Sequence, residues 1–312
     1  MTVCVAAIAD YSFIIGASDR MLTAGDVEFE PETAKLWRFS PSIFALVAGD
    51  MATQAEILKE VNKETQTWIL ADTKKWMRVK DVASLYCKKY RELRRDKAEA
   101  AILYPLGLTL QSFLGQQSSM HPEQVEKIAN QLIEYELPSI EEAIFIGIDH
   151  DGPLGPTGEE QIYTQLYTTE RDKLSYLSSV GFAAIGYGKA HAESQLMFYG
   201  HNPKRSFDDT LILTYAAKKR AEVAPGVGKA TDMIVIGAGV GVSYMIEPHH
   251  IADIDDIYQK NRKVTERGIA RAQRETAKFT ARVRKDNDDK KAAEAKKDQP
   301  KPSDSQTSAD RQ

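Results

Sequence analysis

Hydrophobic residues in the first fifty positions come in short continuous runs. Val3 to Ala9 and Ser12 to Ala17 are β-rich runs joined at Asp10-Tyr11, and they predict a pair of strands. The segments KLWRF and SIFALVA predict a second hairpin, with Pro41 in a connection where its missing N–H does no harm. Further strands are predicted at EAIFIGID, QIYTQLYT, VGFAAIGYG, DMIVIG and VSYMI.

From Gly49 onward the hydrophobic period becomes helical. Ala52, Ala55, Ile57, Leu58 and Val61 fall near one predicted face. Other helices are predicted over residues 80–136, with breaks around Pro105 and Gly107 and near His121-Pro122, over 189–199, over 206–223 and from about 254 to 284.

The elements therefore follow the order strands, helices, strands, helices, strands. This order favours an α+β fold over a parallel βαβ sheet, because runs of strands alternate with runs of helices. We expect a four-layer αββα sandwich in which two antiparallel sheets pack face to face between outer helices. The domain would span residues 1–250, followed by a helical extension at 251–285 and a disordered charged tail at 286–312, which has too few apolar residues to fold.

Composition describes an ordinary soluble protein with 42% hydrophobic and 28% charged residues. The apolar start has no basic region before it, and Asp10 interrupts it, so we expect neither a signal peptide nor a membrane span. Cys4 and Cys87 are expected to be small buried hydrophobes in a cytoplasmic protein.

Charge is unevenly distributed along the chain. Residues 262–312 hold 15 Lys and Arg against 9 Asp and Glu, a net charge of +6, and the preceding residues hold 26 against 36, a net charge of −10. The C-terminal part is therefore expected to be solvated or to dock onto an acidic surface.

Thr2 offers a particular chemistry if Met1 is removed. The threonine would then carry both a hydroxyl and a free α-amine, whose ordinary pKa of about 7.7–8.0 leaves part of it unprotonated near neutral pH. A threonine hydroxyl paired with its own α-amine is an established activated nucleophile. Many chains begin with Met-Thr for no catalytic reason, so this prediction depends on the residues that follow.

The stretch from Ala17 to Asp50 provides such residues, because Asp19, Lys35 and Gly49 are separated by sixteen and fourteen positions. These spacings resemble the N-terminal region of proteasome β-type subunits and of the related bacterial heat-shock threonine peptidase, which are N-terminal nucleophile hydrolases. Only the step from Thr2 to Asp19 is longer than in that family, by one residue.

The resemblance implies a role for each residue. Lys35 would lie beside Thr2 as a fixed positive charge that favours the alkoxide, and Asp19 would pair with Lys35. The backbone N–H of Gly49 would form the oxyanion hole, a contribution of roughly 2.7–4 kcal/mol. Thr23 would bond an extended substrate. The pocket that receives the residue before the cut would be mostly apolar, lined by Leu22, Thr33, Trp37, Val47, Met51 and Ala55.

The later half also resembles the family, at AAIGYGKAHAESQLMF and LTYAAKKRAEVAPGVGKATDMIVIG. It departs from the family where auxiliary groups assist the threonine amine. A usual Ser is Tyr187 here, and a usual Asp and Ser are Ala224 and Val227. Glu222 or the Tyr187 hydroxyl is the alternative group that would assist the amine here.

Other motifs are weak. The VAPGVGKAT segment has Val223 and Ala230 where a phosphate loop needs Gly and Ser/Thr. The cluster Asp149, His150 and Asp151 lacks the glycine of a calcium loop. The basic helical segment Arg262–Lys285 has Phe279 as its one aromatic residue. We therefore expect no metal, cofactor, nucleic-acid or membrane partner.

Three functions remain open at this stage. The first is a threonine peptidase for peptides or unfolded proteins, assembled into a homo-oligomeric ring or stack and served by a regulatory ATPase, as the resemblance implies. The second is an N-terminal nucleophile amidase that acts on a small amide. The third is an inactive, proteasome-like scaffold.

Overall fold

A computed structural model describes residues 2–24, 27–31, 35–71, 77–150, 162–237 and 241–297. The described chain is an α+β fold with two antiparallel five-stranded sheets, as the sequence predicts. The first sheet has the order β10-β1-β2-β11-β12. Its strands are β1 (Val3–Ala9), β2 (Phe13–Asp19), β10 (Phe182–Gly186), β11 (Thr231–Ile236) and β12 (Ser243–Met245).

The second sheet has the order β5-β6-β7-β8-β9. Its strands are β5 (Leu36–Ser40), β6 (Ile43–Ala48), β7 (Glu142–His150), β8 (Ile162–Glu170) and β9 (Lys173–Tyr176). A separate small hairpin, β3 (Leu22–Ala24) and β4 (Val27–Phe29), connects the first sheet to the second.

Helices cover the outer face of each sheet. On the second sheet lie α1 (Met51–Ala71) and α2 (Val79–Ala98), and on the first lie α5 (Lys189–Phe198) and α6 (Phe207–Ala221). Two shorter helices, α3 (Leu110–Gln116) and α4 (Pro122–Glu134), form a small core of their own around Leu103, Phe113 and Ile128.

Strand β1 shows why the sandwich forms. All seven of its residues are buried, because one face meets the opposite sheet and the other meets the helices. Cys4, Ala6 and Ile8 belong to the core between the sheets, whereas Val3 and Val5 belong to the core beneath α5 and α6. The alternation of a strand thus places successive side chains in two different cores. A strand covered on both faces accounts for the continuous apolar run in the sequence.

The buried face of α1 matches the prediction at Ile57, Leu58 and Val61 but not at Ala52 and Ala55. Gln54, Ile57, Leu58, Val61 and Thr65 are buried, whereas Ala52 and Ala55 are exposed. The small area of an alanine side chain gives it little preference for either face of a helix. Gln54 takes the interior position because its amide donates to the Ala48 carbonyl (2.7 Å).

The C-terminal helix α7 runs from Pro248 to Lys297, past residue 285, where the sequence analysis ends it. The segment KKAAEAKK at 290–297 consists of good helix formers, which accounts for the difference. The contacts divide the chain into one unit that ends at Ile254 and another that begins at Asp255. The remaining part of the predicted tail, 298–312, lies outside the described residues.

Cys4 and Cys87 are free and buried, as the sequence predicts. Burial raises the pKa of both thiols, that of Cys87 to about 11. In the described ranges, every helix is too short or too polar to cross a membrane.

Candidate active site

Thr2 lies immediately before β1 and is 5% exposed. Its carbonyl oxygen accepts a hydrogen bond from the Gly188 N–H (3.3 Å), and the adjacent Val3 pairs with Gly186. Gly186 has a φ of +81°, and a Cβ there would lie 2.8 Å from the Thr2 methyl group. Glycine is therefore needed at 186 to let this turn approach Thr2 closely.

Asp19 ends β2 and is fully buried. Its Oδ1 accepts from the Thr2 hydroxyl and from the Val3 N–H (3.0 Å). Its Oδ2 accepts from the N–H groups of Met21 (3.2 Å) and Gly228 (2.8 Å). One carboxylate thus connects the start of β1, the end of β2 and the loop before β11.

Lys35 completes the cluster from a bend just before β5, and it is 2% exposed. Its ammonium donates to the Thr2 hydroxyl oxygen, to the Met21 carbonyl and to Asp19 Oδ1, the last at 3.0 Å. The structure therefore brings together Thr2, Asp19 and Lys35, which the sequence spacing singled out. Burial removes competing water, so the charges act on the hydroxyl through a low-dielectric medium.

The loop that holds Asp19 is itself fixed by Lys218, a fully buried residue of α6. The Lys218 ammonium donates to Glu222 (2.7 Å) and to the carbonyls of Gly228 (2.9 Å) and Lys229 (2.9 Å). Because Gly228 donates to Asp19, Lys218 positions that N–H through the loop. Burial lowers the pKa of Lys218, and its bond to Glu222 opposes this effect.

We expect Lys218→Met to lower the free energy of unfolding by about 3 kcal/mol, because two carbonyls and a carboxylate lose a buried partner. Lys219→Met is the matched control, since Lys219 also contacts Glu222 (2.9 Å) but from a more exposed position. Its cost should be below about 1 kcal/mol. Urea denaturation of both variants measures the difference, and equal costs would contradict this role for Lys218.

Gly49 and Thr2 line the same cavity, which has a volume of about 210 Å³. Three predicted pocket residues, Leu22, Val47 and Met51, lie in its wall. Residues that the sequence analysis missed also line it: Met21, Phe29, Ala48 and Asp50. Little in the sequence indicated these residues. Phe29 stands in an acidic stretch, and Met21, Ala48 and Asp50 are only the neighbours of residues predicted for the site.

Two predicted pocket residues do not line this cavity. Trp37 packs against the core beneath α1 and α2, and Ala55 is exposed on α1. Thr23 belongs to β3, but its side chain lies outside the described part of the structure, as does the whole of Thr33. In the described wall of the cavity, Ala48 of β6 therefore replaces Trp37 of β5, and Met21 and Phe29 join Leu22 on the side of the β3–β4 hairpin.

The positions that depart from the family pattern carry no group on the Thr2 cluster. Tyr187 is 64% exposed, and Ala224 and Val227 lie in the core beneath α5 and α6. Glu222 accepts from the ammonium groups of Lys218 and Lys219, so its carboxylate is already bound away from Thr2.

The described residues contain no group of three or more His, Cys, Asp and Glu side chains that could hold a metal ion. Asp149, from the weak calcium-like motif, accepts the Val79 N–H (2.9 Å) at the start of α2. Asp151 of that motif lies outside the described residues.

Comparison of the sequence with protein-family models and with curated proteins finds no match. A function for the chain therefore has to be inferred from its own residues. The most informative of these are Thr2, Asp19 and Lys35, because the three polar groups are buried together and two of them, Thr2 and Lys35, line a cavity.

Proposed function

We propose that the protein is a threonine-type amide-bond hydrolase, a proteasome-like endopeptidase whose nucleophile is Thr2 after removal of Met1. The observation that carries this proposal is the buried contact of the Thr2 hydroxyl with both the Lys35 ammonium and the Asp19 carboxylate. A buried ion pair is often no more stabilising than apolar side chains of similar volume, so a buried Lys35–Asp19 pair that also contacts a hydroxyl beside a cavity is better explained by chemistry than by stability alone.

In the proposed reaction, the Thr2 oxygen attacks the carbonyl carbon of the substrate amide and passes its proton to the Thr2 α-amine. The carbonyl oxygen becomes an oxyanion, which the Gly49 N–H stabilises. Collapse breaks the carbon–nitrogen bond, the proton moves to the leaving nitrogen, and an ester remains on Thr2. Water then attacks this ester with the amine as base, which releases the acid and restores the hydroxyl.

The apolar side chains in the cavity wall favour a hydrophobic residue before the cut. Leu22, Val47 and Met51 would surround that side chain. The proposed substrate is a peptide or an unfolded protein. The proposal includes a homo-oligomeric ring or stack served by a regulatory ATPase. It also includes a cytoplasmic location, with which the two free cysteines agree.

The inactive scaffold stays a second candidate because of one observation. The three positions where auxiliary groups were expected, 187, 224 and 227, bring no proton-carrying group to Thr2. An active enzyme would then depend on the α-amine alone for proton transfer. The small-amide hydrolase differs from the peptidase mainly in assembly, so the size of the particle in solution separates these two.

A peptide epoxyketone tests the proposed nucleophile directly, because its stable ring adduct needs a hydroxyl and a free α-amine on the same residue. We expect the purified protein to lack Met1 and to gain the mass of one inhibitor per chain. Thr2→Ala should gain none, whereas Thr2→Ser keeps a hydroxyl and an amine and should still react.

Digestion of the adduct must place the inhibitor on the N-terminal peptide. A chain that retains Met1 and gains no inhibitor mass would contradict the enzyme and favour the scaffold. Labelling of Thr2→Ala to the same extent would show that another residue reacts, and Thr2 would then lose its assigned role.

A further inference from the structure

A buried carboxylate lies directly beneath the Gly49–Asp50 turn. Glu141 immediately precedes β7 and is 0% exposed. Its Oε1 accepts from the Ser139 hydroxyl and from the Asp50 N–H (3.3 Å). Its Oε2 is buried and has no hydrogen-bond partner among the described residues. Such an oxygen is costly and calls for an explanation.

The unpartnered oxygen packs against Gly49 itself. Gly49 has a φ of +119°, and a Cβ built there would overlap Glu141 Oε2 and lie 2.9 Å from the Ile140 carbonyl oxygen. Glu141 therefore contacts Gly49 through one oxygen and binds the Asp50 N–H through the other. This turn joins the end of β6 to the start of α1, and Gly49 lines the cavity beside Thr2.

We propose that Glu141 is a positioning residue that fixes the Gly49–Asp50 turn so that the Gly49 N–H meets the oxyanion formed at Thr2. This inference rests on the proposed hydrolase function. A negative charge on Glu141 would stand behind the oxyanion hole and oppose the charge that develops there. The neutral form holds the same turn without that opposition.

The surroundings of Glu141 favour the neutral form. The titratable groups that act on it are Asp50 at the start of α1 and Tyr86 and Tyr90 of α2, and all three are acids. None of these three offers the carboxylate a positive charge, and Arg171, whose N–H donates to the Glu141 carbonyl (2.7 Å), pairs its guanidinium with Glu136 (3.2 Å). Burial raises the pKa of Glu141, and the interactions with the Ser139 hydroxyl, the Asp50 N–H and the Gln54 side chain oppose this only in part.

The direction of the pH effect follows from this raised pKa. Below it, Glu141 is neutral and the turn supports catalysis, and as the pH rises through it, the carboxylate ionises and the rate falls. Gln at position 141 keeps an oxygen for Ser139 and Asp50 but cannot ionise. The ratio of Glu141→Gln to wild-type kcat should therefore rise with pH, and this ratio cancels the titration of the Thr2 amine, which both proteins share.

The experiment measures kcat and KM for a fluorogenic peptide from pH 5 to 9 with wild type, Glu141→Gln and Glu141→Ala. We expect Glu141→Ala to lose about tenfold or more in kcat with little change in KM, because the turn, and not the substrate pocket, is released. Glu141→Gln should keep more activity than Glu141→Ala at every pH. Glu136→Gln, on an exposed side chain, is the matched control and should follow wild type.

A Gln-to-wild-type ratio that stays constant with pH, or an alanine variant with wild-type kcat, would overturn the role of Glu141. If the alanine variant does not fold, the glutamine ratio decides alone. Epoxyketone labelling of each variant separates this failure from failure of the proposed function. If Thr2 is labelled but the Glu141 variants behave like wild type, only this inference is contradicted. If wild type is not labelled, the proposed hydrolase function is contradicted as well.

Discussion

Replacing Lys35 by methionine should lower kcat/KM for peptide hydrolysis by about 10³-fold while the chain stays folded. The methionine removes the positive charge beside the Thr2 oxygen, which is the feature of the cluster that stabilises a developing alkoxide. The peptide should still bind, because the apolar wall of the cavity is formed mainly by other residues. The loss should therefore appear in kcat.

The fold should tolerate this change because Asp19 keeps other partners. Its carboxylate still accepts from the N–H groups of Val3, Met21 and Gly228, so its charge remains hydrogen-bonded. Lys189→Met provides the control, since that lysine is 42% exposed and its ammonium lies as far as 3.9 Å from Glu142 Oε1, which makes a weak ion pair. Steady-state kinetics and thermal unfolding of both variants test the prediction. A Lys35→Met enzyme with kcat within tenfold of wild type would exclude Lys35 from the chemistry.

Local patterns predicted the layers of the fold well because each layer leaves a local signature. The run from Val3 to Ala9 reads as one buried strand since it is covered on both faces. The turn at Asp10-Tyr11 is also as predicted, with both residues at positive φ. Alanine was the weak point: Ala52 and Ala55 fit a helical period, yet both face solvent because their burial contributes little.

The candidate site was predictable only where it depends on short spacings. Asp19, Lys35 and Gly49 could be found because their separations resemble a known family. The resemblance placed Trp37 in the pocket, but Trp37 lies on the helix-covered face of β5 together with Phe39, because alternate residues of a strand share a face.

Contacts between distant parts of the chain left no such signal. Glu141 meets the Gly49 turn from more than 90 residues away, and Gly228 meets Asp19 across 209. The sequence around Glu141 is an ordinary acidic stretch before a strand. Its burial and its unpartnered oxygen follow only from how the two sheets and α1 pack, so neither could be read from residue types or periodicity.

Replacing Asp19 by alanine should reduce stability more than Lys35→Met does. The free energy of unfolding should fall by about 3–5 kcal/mol, because removal of one partner leaves a buried ammonium without its counter-charge. Three backbone N–H groups, of Val3, Met21 and Gly228, also lose their acceptor. Asp172→Ala, which removes an exposed carboxylate 3.7 Å from Arg91, should cost less than about 1 kcal/mol.

The double variant Asp19→Ala with Lys35→Met separates the contribution of the ion pair from that of the backbone N–H groups. If the cost in Asp19→Ala comes mainly from the stranded Lys35 charge, removing that charge as well should restore part of the stability, and the two single effects should not add. Urea denaturation of the four proteins of the cycle measures the coupling. Strict additivity would mean that the backbone N–H groups, and not the ion pair, account for the stability that Asp19 provides, and Lys35 would then be held in place by the Met21 carbonyl and the Thr2 hydroxyl alone.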